Sequence, residues 1–340
     1  HGIGAFPEDH PLSIGMPGMH GWVHVNRAIQ ECDLLFNVGS RFDDRVTGKA
    51  STFAPRATVV HVDIDPSEIG KNVRTAVPIV GDARLVLSAL LEALEALDNA
   101  APDDDPAADW RAHIRGVQAA QQGRHPELRR PDTPRLMPHD VYAGLNRAFA
   151  GRGAGGGYRV VTDVGQHQMW AAQLIDWRRP RTHITSGGAG TMGFAVPAAL
   201  GVALAHPGET VWAIVGDGGF QMTNQELTTI LQEGVTNVKV AIVNNGYLGM
   251  VRQWQELFEQ RRYSATPLTG PDFARLAEAH GLRGLTVERA EDVDAAIAAA
   301  WDHDGSVVID FRVEREVNVF PIVPQGMSIG EMMTEAPVAV

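Results

Sequence analysis

The chain has 340 residues, 44% hydrophobic and 21% charged, which is the balance of an ordinary globular protein with room for about two domains. A formal charge of −12 and a pI near 5.5 exclude a general nucleic-acid binder, because phosphate backbones are held by clustered Lys and Arg, and the few basic pairs such as Arg129-Arg130 and Arg261-Arg262 read as solvated faces. Cys32 is the only cysteine, which excludes a disulfide framework and a cysteine-based zinc site, and no apolar run nears the ~18 residues that span a bilayer.

A reducing, cytoplasmic setting fits this cysteine usage. The chain opens at His1-Gly2-Ile3-Gly4 with neither methionine nor a preceding strand, as though cut from something longer.

In chain order, residues 23–32 read as a helix. The runs DLLFNVG (33–39) and ATVVHVD (57–63) are β-branched and apolar, each closed by Gly or Asp. The short run VPIV (77–80) leads through Gly81-Asp82 into a helix over 83–97 with apolar residues at helical spacing. Strands alternating with helices imply a parallel sheet covered on both faces. Ligands of such sheets sit beyond the strand C-termini. There the chain carries Gly39-Ser40-Arg41-Phe42-Asp43-Asp44-Arg45, Asp63-Ile64-Asp65 and Gly81-Asp82, with Met19-His20-Gly21 on the near side. An arginine can clamp a phosphate through two parallel hydrogen bonds, and a strand-end carboxylate can accept from ribose hydroxyls. Equally, Arg41, Asp43, Asp44 and Arg45 can pair with one another at the surface.

Residues 98–109, made of Ala, Pro and Asp, read as a linker. A short helix over 110–121 and a polar, proline-rich stretch over 121–138 complete the connection. A second α/β domain starts near Pro138, with a helix (139–150), a glycine-rich turn (151–157), a strand (158–164), a helix (167–177) and a strand (183–185). A glycine-rich loop (186–193) and an apolar helix (195–205) follow. Next come the strand VWAIV (211–215), Gly216-Asp217-Gly218-Gly219, a helix over 223–234, and the strand VKVAIV (238–243) ending in Asn244-Asn245-Gly246. Helices over 247–258, 271–280 and 290–301, strands near Leu285 and over 306–311, and an extended tail from Phe320 close the chain. The predicted fold class is α/β with two doubly wound parallel-sheet domains, 1–97 and 138–340, joined by 98–137.

The segment from Val211 to Met250 is strand, turn, helix and strand. Such a βαβ unit places both strand C-termini on one edge of a parallel sheet, so Asp217 and the two asparagines converge. A carboxylate, an amide carbonyl and a backbone carbonyl are the hard oxygen ligands that Mg²⁺ takes, with water and phosphate in its remaining positions. Glycines beside Asp217 leave room for a diphosphate to approach backbone N–H groups. Gly-Asp-Gly and Asn-Asn-Gly are each ordinary turns as well. Their placement at consecutive buried strand ends is what favours a metal-bridged diphosphate site. Gln166 and His167 lie on the same edge and suit phosphate, although His167 reads equally well as a helix N-terminal residue facing water. Met192 is core filler by type, or a wedge beneath a bent cofactor.

Gly216-Asp217-Gly218 followed about thirty residues on by Asn244-Asn245 is the pattern of thiamine-diphosphate enzymes. The wider text NGYLGMVRQW (245–254), with GSRFDDRVTGK (39–49) and DIDPSEIGKN (63–72), resembles the large catalytic subunits of the acetohydroxyacid (acetolactate) synthase family. The resemblance covers nearly the whole chain, least between Asp98 and Pro138. It implies the second half of a central FAD-binding domain followed by the diphosphate-binding domain, without the pyrimidine-binding domain that comes first in the family. By the same resemblance, Asp217, Asn245 and the main-chain oxygen of Tyr247 hold Mg²⁺, with Asn244 as the alternative ligand. Gln166, His167, Gly190, Gly216, Gly218 and Gly219 surround the diphosphate of thiamine diphosphate, and Met192 supports the bent cofactor. His20, Gly39, Arg41, Asp43, Arg45, Asp63, Ile64 and Asp82 line the FAD site. Met250 and Trp254 sit at the substrate channel, where Trp254 also reads as an ordinary packing residue. Trp22 departs from the family, which has a small or hydroxyl residue after Met-His-Gly.

The implied reaction decarboxylates pyruvate and condenses it with a second 2-oxo acid, pyruvate or 2-oxobutyrate, for branched-chain amino acid synthesis. The implied assembly is a homodimer or homotetramer of catalytic subunits, with a small regulatory subunit. The glutamate that activates the cofactor belongs in the family to the missing domain of a partner subunit. No residue here is carried over as catalytic, and this chain alone is expected to be inactive. The competing readings are another thiamine-diphosphate enzyme of the pyruvate oxidase or glyoxylate carboligase type, a non-catalytic FAD- or nucleotide-binding module and, ranked last because no Gly-x-Gly-x-x-Gly is read after a strand, a redox dehydrogenase.

Overall fold

The computed structural model describes residues 2–97, 105, 107–121, 135–151 and 157–336. Most of the expected linker and proline-rich stretch, and all but the ends of the glycine-rich turn at 151–157, lie outside the described residues. The chain divides into two compact units, one of residues 14–129 with 320–335 and one of residues 1–13, 130–319 and 336–340.

The smaller unit carries α1 (Val23–Glu31), β1 (Leu34–Val38), α2 (Asp44–Thr47), β2 (Thr58–Asp63), β3 (Val77–Val80), α3 (Ala83–Ala96) and α4 (Ala108–Gln121). Its strands form a parallel sheet in the order β1-β2-β3. The register sets Val38 against Val62 and Asp63 against Val80, so all three strands end on one edge. Phe42, Phe53 and Val59 pack with Val323 and Ile329 of the tail. The tail, expected to continue the second domain, folds here instead. Ser328 bridges Gly48, and the Val323 N–H donates to the Met19 carbonyl at 2.9 Å. No residue of α3 is buried, and its leucines, Leu85 and Leu91 among them, are exposed. Asp82 caps α3 by accepting the N–H groups of Arg84 and Leu85 at 3.0 and 3.2 Å. Replacing Asp82 by Ala is expected to cost about 1 kcal/mol, the usual loss of an N-cap, read as a lower urea midpoint of the smaller unit.

The larger unit is built on a six-stranded parallel sheet in the order β5-β4-β6-β7-β9-β8. Its elements are α5 (Pro138–Ala150), β4 (Tyr158–Thr162), α6 (Gln166–Leu174), β5 (His183–Thr185), α7 (Ala195–Ala205), β6 (Thr210–Gly216), α8 (Asp217–Thr223), α9 (Glu226–Gln232), β7 (Val238–Asn244), α10 (Gly249–Phe258), α11 (Phe273–Ala279), β8 (Arg283–Val287), α12 (Val293–Trp301) and β9 (Val307–Arg312). Strand β6 reads as an unbroken apolar run over 211–215, and β7 as one interrupted only by Lys239 over 238–243, because the sheet is buried on both faces. Alternate residues go to opposite layers. Trp212, Ile214, Ala241 and Val243 pack with residues of α5, α6 and α12, whereas Ala213, Val215, Val240 and Ile242 pack with residues of α7, α9 and α11.

One expected element differs. The helix predicted over 223–234 begins at Asp217 itself and breaks at Asn224-Gln225 into α8 and α9. Gly218-Gly219 suggests a turn by propensity, but Phe220 is fully buried and holds the segment helical against the core. No helix among the described residues is long and apolar enough to cross a membrane.

Candidate functional site

Parallel register brings the ends of β4, β6 and β7 together, with Thr162 beside Ile214 and Gly216 beside Val243. An open cleft lies over these ends. Its walls are the first turns of α6, α8 and α10 together with Met192.

Asp217 is the first residue of α8, is 4% exposed and lines the cleft. Backbone N–H groups of Asp217, Asn245 and Gly218 lie near its carboxylate and favour its charged form, so the ends of β6 and β7 adjoin. Burial, reinforced by the Asp310 carboxylate, pushes its pKa up to about 7 in spite of those N–H groups. Among the described residues no cationic side chain sits beside it to hold the charge. The two asparagines separate cleanly. The Asn244 amide donates to Asp310 at 2.9 Å and its oxygen accepts the Gly246 N–H at 3.2 Å, which ties it to β9. Asn245 lines the cleft instead, and among the described residues its oxygen accepts only the Tyr247 N–H, at 3.1 Å. Among the described residues no three His, Cys, Asp or Glu side chains cluster as a metal site. A cation here therefore needs Asp217 together with amide, main-chain or ligand oxygens, the hard donor set of Mg²⁺.

His167 is buried, lines the cleft, and keeps Nε2 without a hydrogen-bond partner. Burial drives its pKa down to about 4 against the opposing pull of Asp163, so the ring is neutral. Added Cβ atoms at Gly165 or Gly216 would meet this ring at 3.0 and 2.9 Å, which is why both positions are glycine. Gln166 lines the cleft, but both hydrogens of its side-chain amide are spent inside the protein, on Gln253 at 2.9 Å and the Val317 carbonyl at 3.0 Å, which leaves its side chain none for a phosphate. Met192, Gly218, Gly219, Tyr247 and Met250 line the cleft as well, but Gly190 and Trp254 do not. Gly190 is exposed with φ of +66°, and Trp254 packs edge-on against Phe258 at 5.2 Å.

Three contributors are absent from the sequence reading. Leu248 lines the cleft beside Gly218. Gln253 is fully buried and bonded to Gln166. Asp163, also fully buried, accepts the N–H groups of Val164, Gly193 and Ala195 at 2.8, 3.0 and 2.9 Å, fastening the loop that carries Met192. An acid just past a strand end, two residues before Gly165, was its only signal. Residues 188–193, GAGTMG, also have the G-x-G-x-x-G spacing between β5 and α7, a dinucleotide signal that the ranking of the dehydrogenase missed. The strand order answers it: β4 lies between β5 and β6, so α7 does not link neighbouring strands as a dinucleotide crossover does.

In the smaller unit, Gly39, Ile64 and Asp82 follow the three strand ends on one edge. Arg41 pairs with Asp43 at 3.1 Å and Arg45 with Asp44 at 3.6 Å, the mutual pairing that the sequence left open. Asp43, Asp63 and Asp82 each accept N–H groups of their own turns. His20 is buried against the Pro321 carbonyl at 3.0 Å, and burial lowers its pKa to about 4.

Comparison with known proteins matches residues 163–311 to the thiamine pyrophosphate enzyme C-terminal TPP-binding domain and residues 1–90 to the central domain of the same enzymes. Over 336 residues the chain is 50% identical to the acetolactate synthase large subunit IlvB1 of Mycobacterium tuberculosis, covering 97% of this chain and 52% of that protein. It is 43% identical over 334 residues to the acetolactate synthase isozyme 2 large subunit of Escherichia coli K12 (98% and 57%), and 40% identical over 334 residues to the large subunit of Porphyra purpurea (98% and 54%). The chain spans about half the length of the curated relatives it matches.

Proposed function

Because this chain belongs to the thiamine pyrophosphate enzyme family, we propose that the cleft of its larger unit holds thiamine diphosphate through Mg²⁺, as part of an acetolactate synthase. One observation carries the reading. The Asp217 carboxylate is buried at the cleft, its pKa raised to about 7, with Asn245 lining the same cleft and, among the described residues, no cationic side chain beside the acid. A buried acid left in that state is costly, and a divalent ion relieves it.

When bound, thiamine diphosphate supplies the nucleophilic carbon and the electron sink that let one 2-oxo acid lose CO₂ and join a second. The chain's own residues bind and orient. Asp217, the Asn245 oxygen and the Tyr247 carbonyl hold the cation. The neutral His167 ring offers its unpartnered Nε2 to a diphosphate oxygen, and glycines 218 and 219 let the diphosphate approach α8. Met192 and Leu248 form an apolar floor that excludes water. The proton-transfer glutamate lies outside this chain, so the chain alone forms no acetolactate. FAD belongs to the same proposal at the sheet edge of the smaller unit, where Arg41 and Arg45 supply positive charge and the strand ends supply backbone groups. The acids of that edge accept N–H groups of their own turns. Catalytic subunits associating with themselves, a small regulatory subunit, and a cytoplasmic location complete the proposal.

The test is calorimetric titration of the chain with thiamine diphosphate. Binding is expected with Mg²⁺ and absent with EDTA. Equal binding under both conditions, or none with Mg²⁺, would overturn the reading and leave a non-catalytic nucleotide module. Robust acetolactate formation from pyruvate by this chain alone would overturn the assignment of the glutamate.

A further inference from the structure

We propose that Gln253 is a positioning residue for the cation site. Through Gln166 it dictates which end of the Asn245 amide faces the cleft. The inference rests on the proposed function above and deepens it, since none of the three amides reads as a phosphate ligand in this arrangement.

The argument starts from backbone polarity. Gln253, on α10, forms a reciprocal pair with one residue of the following strap: the Val319 N–H donates to Gln253 Oε1 at 2.8 Å, and Gln253 Nε2 donates to the Val319 carbonyl at 2.9 Å. An N–H can only donate and a carbonyl can only accept, so this pairing admits a single orientation of the Gln253 amide. The same Oε1 accepts from Gln166 Nε2 at 2.9 Å, and the second Gln166 hydrogen goes to the Val317 carbonyl at 3.0 Å. Gln166 is thereby fixed as well and presents Oε1 to Asn245, which must answer with Nδ2, at 3.1 Å. The Asn245 oxygen is left facing the Tyr247 N–H and the cleft, with a lone pair free for a cation. A flipped Asn245 would aim two hydrogens at that cation. All three side chains are buried, at 3%, 0% and 7% exposure for Gln166, Gln253 and Asn245, so water cannot substitute for a missing link.

Gly249 supplies a second handle. A Cβ there would lie 2.1 Å from Gln166 Oε1 and 2.8 Å from Asn245 Nδ2, in the middle of the relay. Gly249 opens α10 and Ala favours helix, so Gly249→Ala perturbs the relay without weakening the element that carries it.

The experiment uses the full chain with Mn²⁺ as the probe, free Mn²⁺ being counted by electron paramagnetic resonance in saturating thiamine diphosphate, with thermal melts of each variant alongside. Gln253→Leu and Gly249→Ala are each expected to weaken Mn²⁺ binding by about 10-fold, the lower end of what loss of a group supporting a metal ligand costs. In an Asn245→Ala background Gln253→Leu is expected to add no further loss, because the group it positions is gone. A residue that merely supports the fold would add its effect in both backgrounds. Should Gln253→Leu fail to fold, Gly249→Ala carries the test. Unchanged Mn²⁺ affinity in the variants, or full additivity with Asn245→Ala, overturns the relay while the cation site stands. Failure of the unsubstituted chain to take up Mn²⁺ overturns the cation site and the relay together.

Discussion

Replacing Asp217 by Asn is expected to weaken Mg²⁺-dependent binding of thiamine diphosphate roughly 10²- to 10³-fold, the scale of removing one partner from a buried charge pair. Without ligand the same substitution is expected to stabilise the protein, and the sign follows from the raised pKa. A carboxyl at about 7 in the folded state, against an ordinary value near 4, holds its proton more tightly when folded. Its contribution to stability is full below about pH 4 and is lost as pH rises through 7. The ligand-free chain should therefore lose stability between pH 5 and pH 8, by about 2–3 kcal/mol from this group, and Asp217→Asn should not. Adding Mg²⁺ with thiamine diphosphate at pH 8 reverses the order, because only the unsubstituted chain is stabilised by mass action. Thermal melts at pH 5 and pH 8, with and without both ligands, read all four cases. A variant that tracks the parent in every one would mean that Asp217 faces no cation.

The strands of the larger unit were legible because its sheet is buried on both faces: a run such as Val211 to Val215 has no reason to exist except to be covered twice. The convergence of Asp217 and Asn245 followed from that, since parallel register fixes which ends meet. Local patterning failed where long-range contacts decided the outcome. Gly218-Gly219 looked like a turn, yet it is helical because Phe220 is buried and Asp163 lies against Gly219. The tail from Phe320 gave no sign of where it packs, since its partners, such as Met19 and Gly48, are some three hundred residues earlier. Gln253 sits on a helix rich in polar residues, and its burial follows from the strap at 317–319, far removed along the chain from any local pattern. In the smaller unit, Arg41, Asp43, Asp44 and Arg45 carried two readings in sequence, and their mutual pairing is what the fold displays.

Asp163 is the residue whose loss should unsettle the cleft most. Its carboxylate is fully buried and accepts three backbone N–H groups, two of them, Gly193 and Ala195, from the far side of the Met192 loop. Asp163→Ala leaves three donors inside the protein with no acceptor, at about 1–3 kcal/mol each and not fully additive, so a total on the order of 3–5 kcal/mol is expected. That is a large fraction of a typical domain's stability. Asp163→Asn keeps Oδ1 for Val164 and Gly193 but turns an NH2 group toward the Ala195 N–H, donor against donor, so it should cost less than Asp163→Ala while still destabilising. Denaturant midpoints rank the three proteins, and amide exchange at Gly193 and Ala195 should accelerate before the rest of the sheet opens. The same geometry gives Gly219 a reason beyond the diphosphate: a Cβ there would sit 2.5 Å from Asp163 Oδ1, so Gly219→Ala should push out the carboxylate that fastens the loop. If Asp163→Ala unfolds within about 0.5 kcal/mol of the parent, the loop is held by something other than this acid, and Gly219 then answers to the ligand alone.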